Sequence, residues 1–136
     1  MKKFSSFFLL ILSFNLTSHE FNPAHLIIDQ SDDNQNRYDA TWMYPVKNIG
    51  KRADVIFPDI CNSNGSDPFV QGKYIIEKIS LECNESIKGK FIEIINLSVL
   101  TDALVTINFK EDTFEGLINV QKNKLEIPLV DQYYPT

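Results

Sequence analysis

Two cysteines and two histidines carry most of the chemistry this sequence could perform. Cys61 and Cys83 are the only cysteines and stand 22 positions apart. No CxxC spacing supports a redox or metal pair, and an even count in an exported chain favours a disulfide. Closing a loop of that size restricts the unfolded chain by about 3 kcal/mol in the chain-entropy model. His19 and His25 are the only histidines. A chain cut just before His19 would offer an α-amine and an imidazole together, a nitrogen pair that suits nickel or copper. Glu20, Asp29 or the Asp32-Asp33 pair could add oxygen ligands, so His19, Glu20 and His25 form the candidate metal set. Six extended residues span about 20 Å. The two imidazoles therefore meet only if the chain bends at Asn22-Pro23. The plainer reading of the same residues is a solvated terminus at His19 and a half-buried strand position at His25. A zinc site of two His and two Cys fits no familiar ligand spacing.

Other catalytic constellations fare worse. One histidine lies inside the domain, and no Gly-x-Ser-x-Gly elbow occurs. No glycine-rich phosphate loop exists in a chain with 5 glycines among 136 residues. Glu111-Asp112 reads as a solvated hairpin tip. A hydrolase would need His25 beside an acid and a nucleophile in a polar cleft. The sequence thus points away from an enzyme. With 13 Lys+Arg against 18 Asp+Glu the net charge is -5, and no basic patch is available to neutralise phosphates, so nucleic acid is not an expected partner.

The elements that would position these residues begin after an export signal. Lys2-Lys3 precede an apolar run from Phe4 to Phe14, and no acid appears before Glu20. That is a charged start followed by an apolar stretch too short to span a bilayer comfortably. Residues 1–18 read as a signal peptide cut after Ser18, with an uncleaved membrane anchor as the rival. An exported, periplasmic or other extracytoplasmic location follows.

Residues 19–130 read as one β domain, and 131–136 as a tail or the start of a linker. Ala24–Asp29 is a short apolar strand. Tyr38, Ala40, Trp42 and Tyr44 alternate with Asp39, Thr41 and Met43, a period of two that ends at Pro45. Ala53–Phe57 is the next strand, and Asn62–Pro68 reads as loop. Lys73–Cys83 puts Ile75, Ile79, Leu81 and Cys83 on one parity, with Glu77 the exception. Phe91–Ile95 follows, then Asp102–Phe109 and Thr113–Val120 around a polar turn, then Leu125–Leu129. No clean helical period appears. Seven or eight short strands predict an all-β, immunoglobulin-like sandwich, preceded by the signal helix. Trp42 precedes both cysteines, so the order is not that of a standard immunoglobulin domain. Tyr38, Trp42 and Tyr44 read as a core stripe, or else as an exposed aromatic patch for a partner or a glycan.

Several of these segments carry a family resemblance. His19-Glu20, Pro23-Ala24, Tyr38-x-x-x-Trp42-x-x-Pro45, Phe57-Pro58 with Cys61, Cys83, and Thr101-Asp102-Ala103-Leu104-Val105 occur in this order. The series resembles the extracytoplasmic N-terminal region of HupE/UreJ-like membrane proteins over roughly residues 19–128. The resemblance implies a non-catalytic binding or docking module beside a membrane-embedded partner or transmembrane bundle, linked to nickel, cobalt or copper handling. Family members continue into transmembrane helices, whereas this sequence stops at Thr136, so transport is not expected of it. The alternative is a purely structural ectodomain fragment of a truncated membrane protein, with no ligand of its own.

Overall fold

A computed structural model describes residues 22–47 and 52–129. The signal segment, His19 and Glu20 lie outside them. The described chain is all-β, with ten strands in two sheets. They are β1 (Ala24–Gln30), β2 (Arg37–Pro45), β3 (Asp54–Ile56), β4 (Cys61–Gly65), β5 (Phe69–Gln71), β6 (Tyr74–Cys83), β7 (Phe91–Ile95), β8 (Ala103–Asn108), β9 (Thr113–Ile118) and β10 (Lys124–Glu126). The larger sheet runs β4-β6-β2-β1-β8-β9, with β5 also on β6; the smaller runs β10-β7-β3. Among the described strands only β1 and β8 pair in parallel; the other pairs are antiparallel.

Period-two alternation builds the two layers. Ala24, Leu26 and Ile28 of β1 are buried, as are Tyr38, Ala40, Trp42 and Tyr44 of β2 and Ala103, Val105 and Ile107 of β8. Ile92 and Ile94 of β7, with Leu125 and Ile127, face them from the smaller sheet and join the same core. Successive strand side chains point to opposite faces, so one parity of each strand is removed from water. Each large apolar side chain so buried contributes about 1.5–3 kcal/mol. Tyr38 and Trp42 are therefore core residues, at 0% and 1% exposure, and not an exposed patch. The Trp42 indole N–H donates to the Ala53 carbonyl at 3.1 Å, which satisfies a buried donor and ties β2 to the segment leading into β3. Gly116 of β9 lies where Leu125 crosses: a Cβ there would stand 2.6 Å from Leu125 Cδ2.

The expectation of seven or eight strands undercounts. Residues 62–68 hold most of a strand, β4, and a further short strand, β5, follows them. Both pair with β6 at the sheet edge and are almost wholly exposed, so neither shows a buried apolar alternation: β4 carries Asn, Ser and Gly, and β5 is Phe-Val-Gln. The pairing to β6, and not composition, makes them strands.

Cys61 and Cys83 form a disulfide. They sit directly opposite one another in the β4–β6 ladder. The flanking Asn84 N–H donates to the Ile60 carbonyl, which makes the cysteines a non-hydrogen-bonded pair, the closer of the two antiparallel spacings. The bridge links neighbouring strands of one sheet, unlike the inter-sheet bridge of antibody domains. Both half-cystines pack against the core.

Candidate functional site

His25 lies in the middle of a row that crosses the outer face of the larger sheet near one end of its strands. Its register partners are Met43 on β2 and Leu104 on β8. Met43 in turn lies opposite Ile76, Ile76 opposite Phe69, and Leu104 opposite Leu117. Directly opposed residues share a face, so Phe69, Ile76, Met43, His25, Leu104 and Leu117 form one row across six strands. Phe69, Leu104 and Leu117 are exposed, whereas Ile76 is buried beneath its neighbours. The next row of that face reads Lys78, Thr41, Ile27, Thr106 and Glu115. The one beyond it places Asp39 opposite Asp29, with Ser80 and Asn108 on either side. The outer face thus grades from apolar to acidic along the strands.

The His25 ring meets Tyr74 edge-on, with centroids 6.0 Å apart. The Tyr74 hydroxyl donates to the Pro23 carbonyl at 3.0 Å, which fixes the chain where it enters β1. Asp29 stands on the same face four residues along β1, about 13 Å away, and Asp32 and Asp33 follow in the turn beyond β1. The extended strand thus separates His25 from the oxygen ligands considered for it downstream. Among the described residues no three His, Cys, Asp or Glu side chains come together as a metal group. His19 and Glu20 lie outside the described residues.

The opposite end of the sheet is polar and charged. Ser31 donates to the Asp33 carboxylate at 2.6 Å and holds its pKa below the usual aspartate value. Asn108 donates to Asp29 at 2.7 Å. Lys88 sits 4.7 Å from the Phe109 ring centroid and 3.7 Å from Asp112. The polar turn predicted at Lys110-Glu111-Asp112 joins β8 to β9, closed by the Phe109 N–H donating to the Asp112 carbonyl.

Near Trp42, Glu77 projects from the core-facing parity of β6, opposite that indole. Arg52 donates to it at 2.6 Å, lies 3.4 Å from Asp54, and stands over the Tyr44 ring at 5.9 Å. The parity exception noted in the sequence is thus an acid held by a guanidinium.

Sequence reasoning found the bridge and the aromatic core. It missed the outer row, because the row is a property of strand pairing: His25 and Ile76 show it only once their registers with Met43 are known. No protein-family model matches the chain, and no curated protein sequence matches it.

Proposed function

We propose that this chain is an exported, non-catalytic β-sandwich domain that serves as a binding or docking module beside a membrane-embedded partner. The observation that carries the reading is the in-register Cys61–Cys83 bridge. Such bridges persist outside the reducing cytosol, where the Lys2-Lys3 and Phe4–Phe14 signal would deliver the chain. The HupE/UreJ-like resemblance supplies the setting, a membrane protein linked to nickel, cobalt or copper.

Export is tested by expressing the full chain in a bacterial host and separating extracytoplasmic from cytosolic protein. The reading expects the chain outside the cytosol with His19 as its new N-terminus. Retention in the cytosol with Met1 in place contradicts it. The metal chemistry proposed for the module belongs to the processed N-terminus, where His19 and Glu20 would act with or without His25. Calorimetric titration of the processed protein with nickel and copper is expected to give a heat change that His19→Ala abolishes. No heat, or heat indifferent to that substitution, removes the metal role and leaves the docking role.

A further inference from the structure

Exposed apolar side chains are not spread evenly over this molecule. Val99 and Leu100, at 79% and 88% exposure, occupy the turn that ends in the Thr101 N–H bond to the Ser98 carbonyl, just before β8. Val46 follows β2, and Val120 follows β9. Phe69, Leu104 and Leu117 belong to the outer row described above. The registers put all of them at one end of the larger sheet: Ala103 pairs with both Ala24 and Ile118, and Pro45 pairs with Tyr74. Single exposed apolar residues are ordinary, but a gathering of this kind marks an interaction surface.

Two further observations say what covers it. First, the described chain begins at this same end. Asn22 and Pro23 lead into Ala24, and the Ala24 N–H donates to the Asp102 carbonyl. The longest apolar run of the sequence, Phe4 to Phe14, lies just upstream. Residues 15–21 connect the two, and seven residues reach at most about 25 Å. Before the cut after Ser18, while that run sits in a bilayer, this end of the domain is held within that distance of the lipid. Second, charge is segregated. Asp32, Asp33, Glu82, Glu85, Glu111 and Asp112 lie at the opposite end and outnumber its cations Arg37, Lys88, Lys90 and Lys110, which are ion-paired to Glu82, Asp112, Glu85 and Asp32. At the near end Asp102 and Asp54, the latter 3.4 Å from Arg52, with Asp67 two residues before Phe69, stand among Lys47, Arg52, Lys73 and Lys122. An acidic end is repelled by anionic headgroups, whereas an apolar rim with lysines is attracted and can insert shallowly.

We infer that the end carrying Val46, Leu100, Leu104, Leu117 and Val120 docks on the lipid bilayer itself, with the acidic end directed away. The inference rests on the docking reading above and adds the surface and its partner. Val99 and Leu100 enter the headgroup boundary. The outer row behind them supplies the apolar shoulder, and His25 lies within it.

The test uses the full chain with vesicles of phosphatidylethanolamine and phosphatidylglycerol carrying brominated acyl chains, which quench tryptophan on contact. Leu100→Trp places a reporter at the docking end, and Phe91→Trp places one on the other sheet at the far end. Phe91 is 52% exposed, so both positions accept the larger ring. Native Trp42, at 1% exposure, supplies a constant background. The inference expects quenching of Leu100→Trp and none of Phe91→Trp. Equal quenching, or none at either, overturns it. Leu117→Trp in a Val99→Asp, Leu100→Asp background separates docking from simple tethering by residues 4–14. Docking predicts that its quenching is lost while the chain still floats with the vesicles; retained quenching overturns the inference. A Leu100→Trp emission shift that tracks dimer formation without vesicles assigns the surface to a second copy and overturns the lipid assignment. Export of the chain is measured separately, so a negative quenching result leaves the location reading standing.

Discussion

Arg52 donates a 2.6 Å hydrogen bond to Glu77, which lies opposite Trp42 on the core-facing parity of β6. The acid is tolerable there because it is paired at the rim, where Arg52 also covers the Tyr44 ring. Burial alone would lower the Arg52 pKa, but the Glu77 hydrogen bond, together with Tyr44 and the carboxylates of Glu77 and Asp54, outweighs it and raises the value. Arg52→Ala should destabilise the domain by about 1 kcal/mol, since Arg52 is itself 44% exposed and solvent screens the pair. Urea unfolding measures this. A double cycle with Glu77→Gln should show that most of the loss requires Glu77. Additive losses would mean that the two side chains act independently.

Removing the bridge should cost more. Cys61→Ala with Cys83→Ala frees a 22-residue separation and is expected to lower unfolding stability by about 3 kcal/mol. The loss should begin at the edge. Hydrogen exchange should quicken first across Cys61–Gly65, because that strand is almost wholly exposed and pairs only with β6. Uniform quickening across both sheets would contradict an edge-strand role for the bridge.

Gly116 sets how closely the smaller sheet approaches β9. A Cβ at that position would fall 2.6 and 2.9 Å from the two Leu125 methyl carbons and 3.2 Å from Cγ. The whole Leu125 side chain must shift, and that side chain is buried. Gly116→Ala is expected to cost about 1–3 kcal/mol through overpacking. Gly116→Ala combined with Leu125→Ala should cost less than the sum of the two single losses. Strict additivity would show that the two positions do not touch.

Tyr38 is fully buried, and its hydroxyl has no hydrogen-bond partner of normal geometry. Burial raises its pKa above 10, with the Ile87 backbone and Gln30 opposing the shift. A tyrosine whose folded pKa is raised adds stability in full below the unfolded value. That contribution is lost as pH rises through the folded value. The domain should therefore weaken above about pH 10, the ordinary tyrosine value. Tyr38→Phe should reduce that alkaline loss, leaving the part due to Tyr44, whose pKa burial also raises, and change neutral stability by no more than about 1 kcal/mol. A larger neutral loss would show that the hydroxyl is partnered.

The legibility of this fold in its sequence follows burial. Tyr38, Ala40, Trp42 and Tyr44 alternate because one face meets the core, so β2 can be read from its period of two alone. The hairpin at Lys110-Glu111-Asp112 is equally plain, because polar turn residues separate two alternating runs. Residues 62–65 look like loop because an exposed edge strand owes nothing to apolar pattern and everything to Ile79–Cys83 beside it. The Cys61–Cys83 pairing needed only the count and the compartment expected from Lys2-Lys3 and the Phe4–Phe14 run, whereas their face-to-face register needed the ladder. The outer row from Phe69 to Leu117 was hidden for the same reason. Its members are scattered over residues 25 to 117 and become neighbours only through five separate strand pairings.

The central claim is that this domain works outside the cytosol with its sulfurs joined. Thiol trapping in intact cells tests it most directly, by alkylating the chain with and without prior reductant and weighing the fragments that contain Cys61 and Cys83. The account predicts that both cysteines resist alkylation until reductant is added, in protein recovered from the extracytoplasmic fraction. Two freely alkylated thiols in protein confined to the cytosol would contradict it.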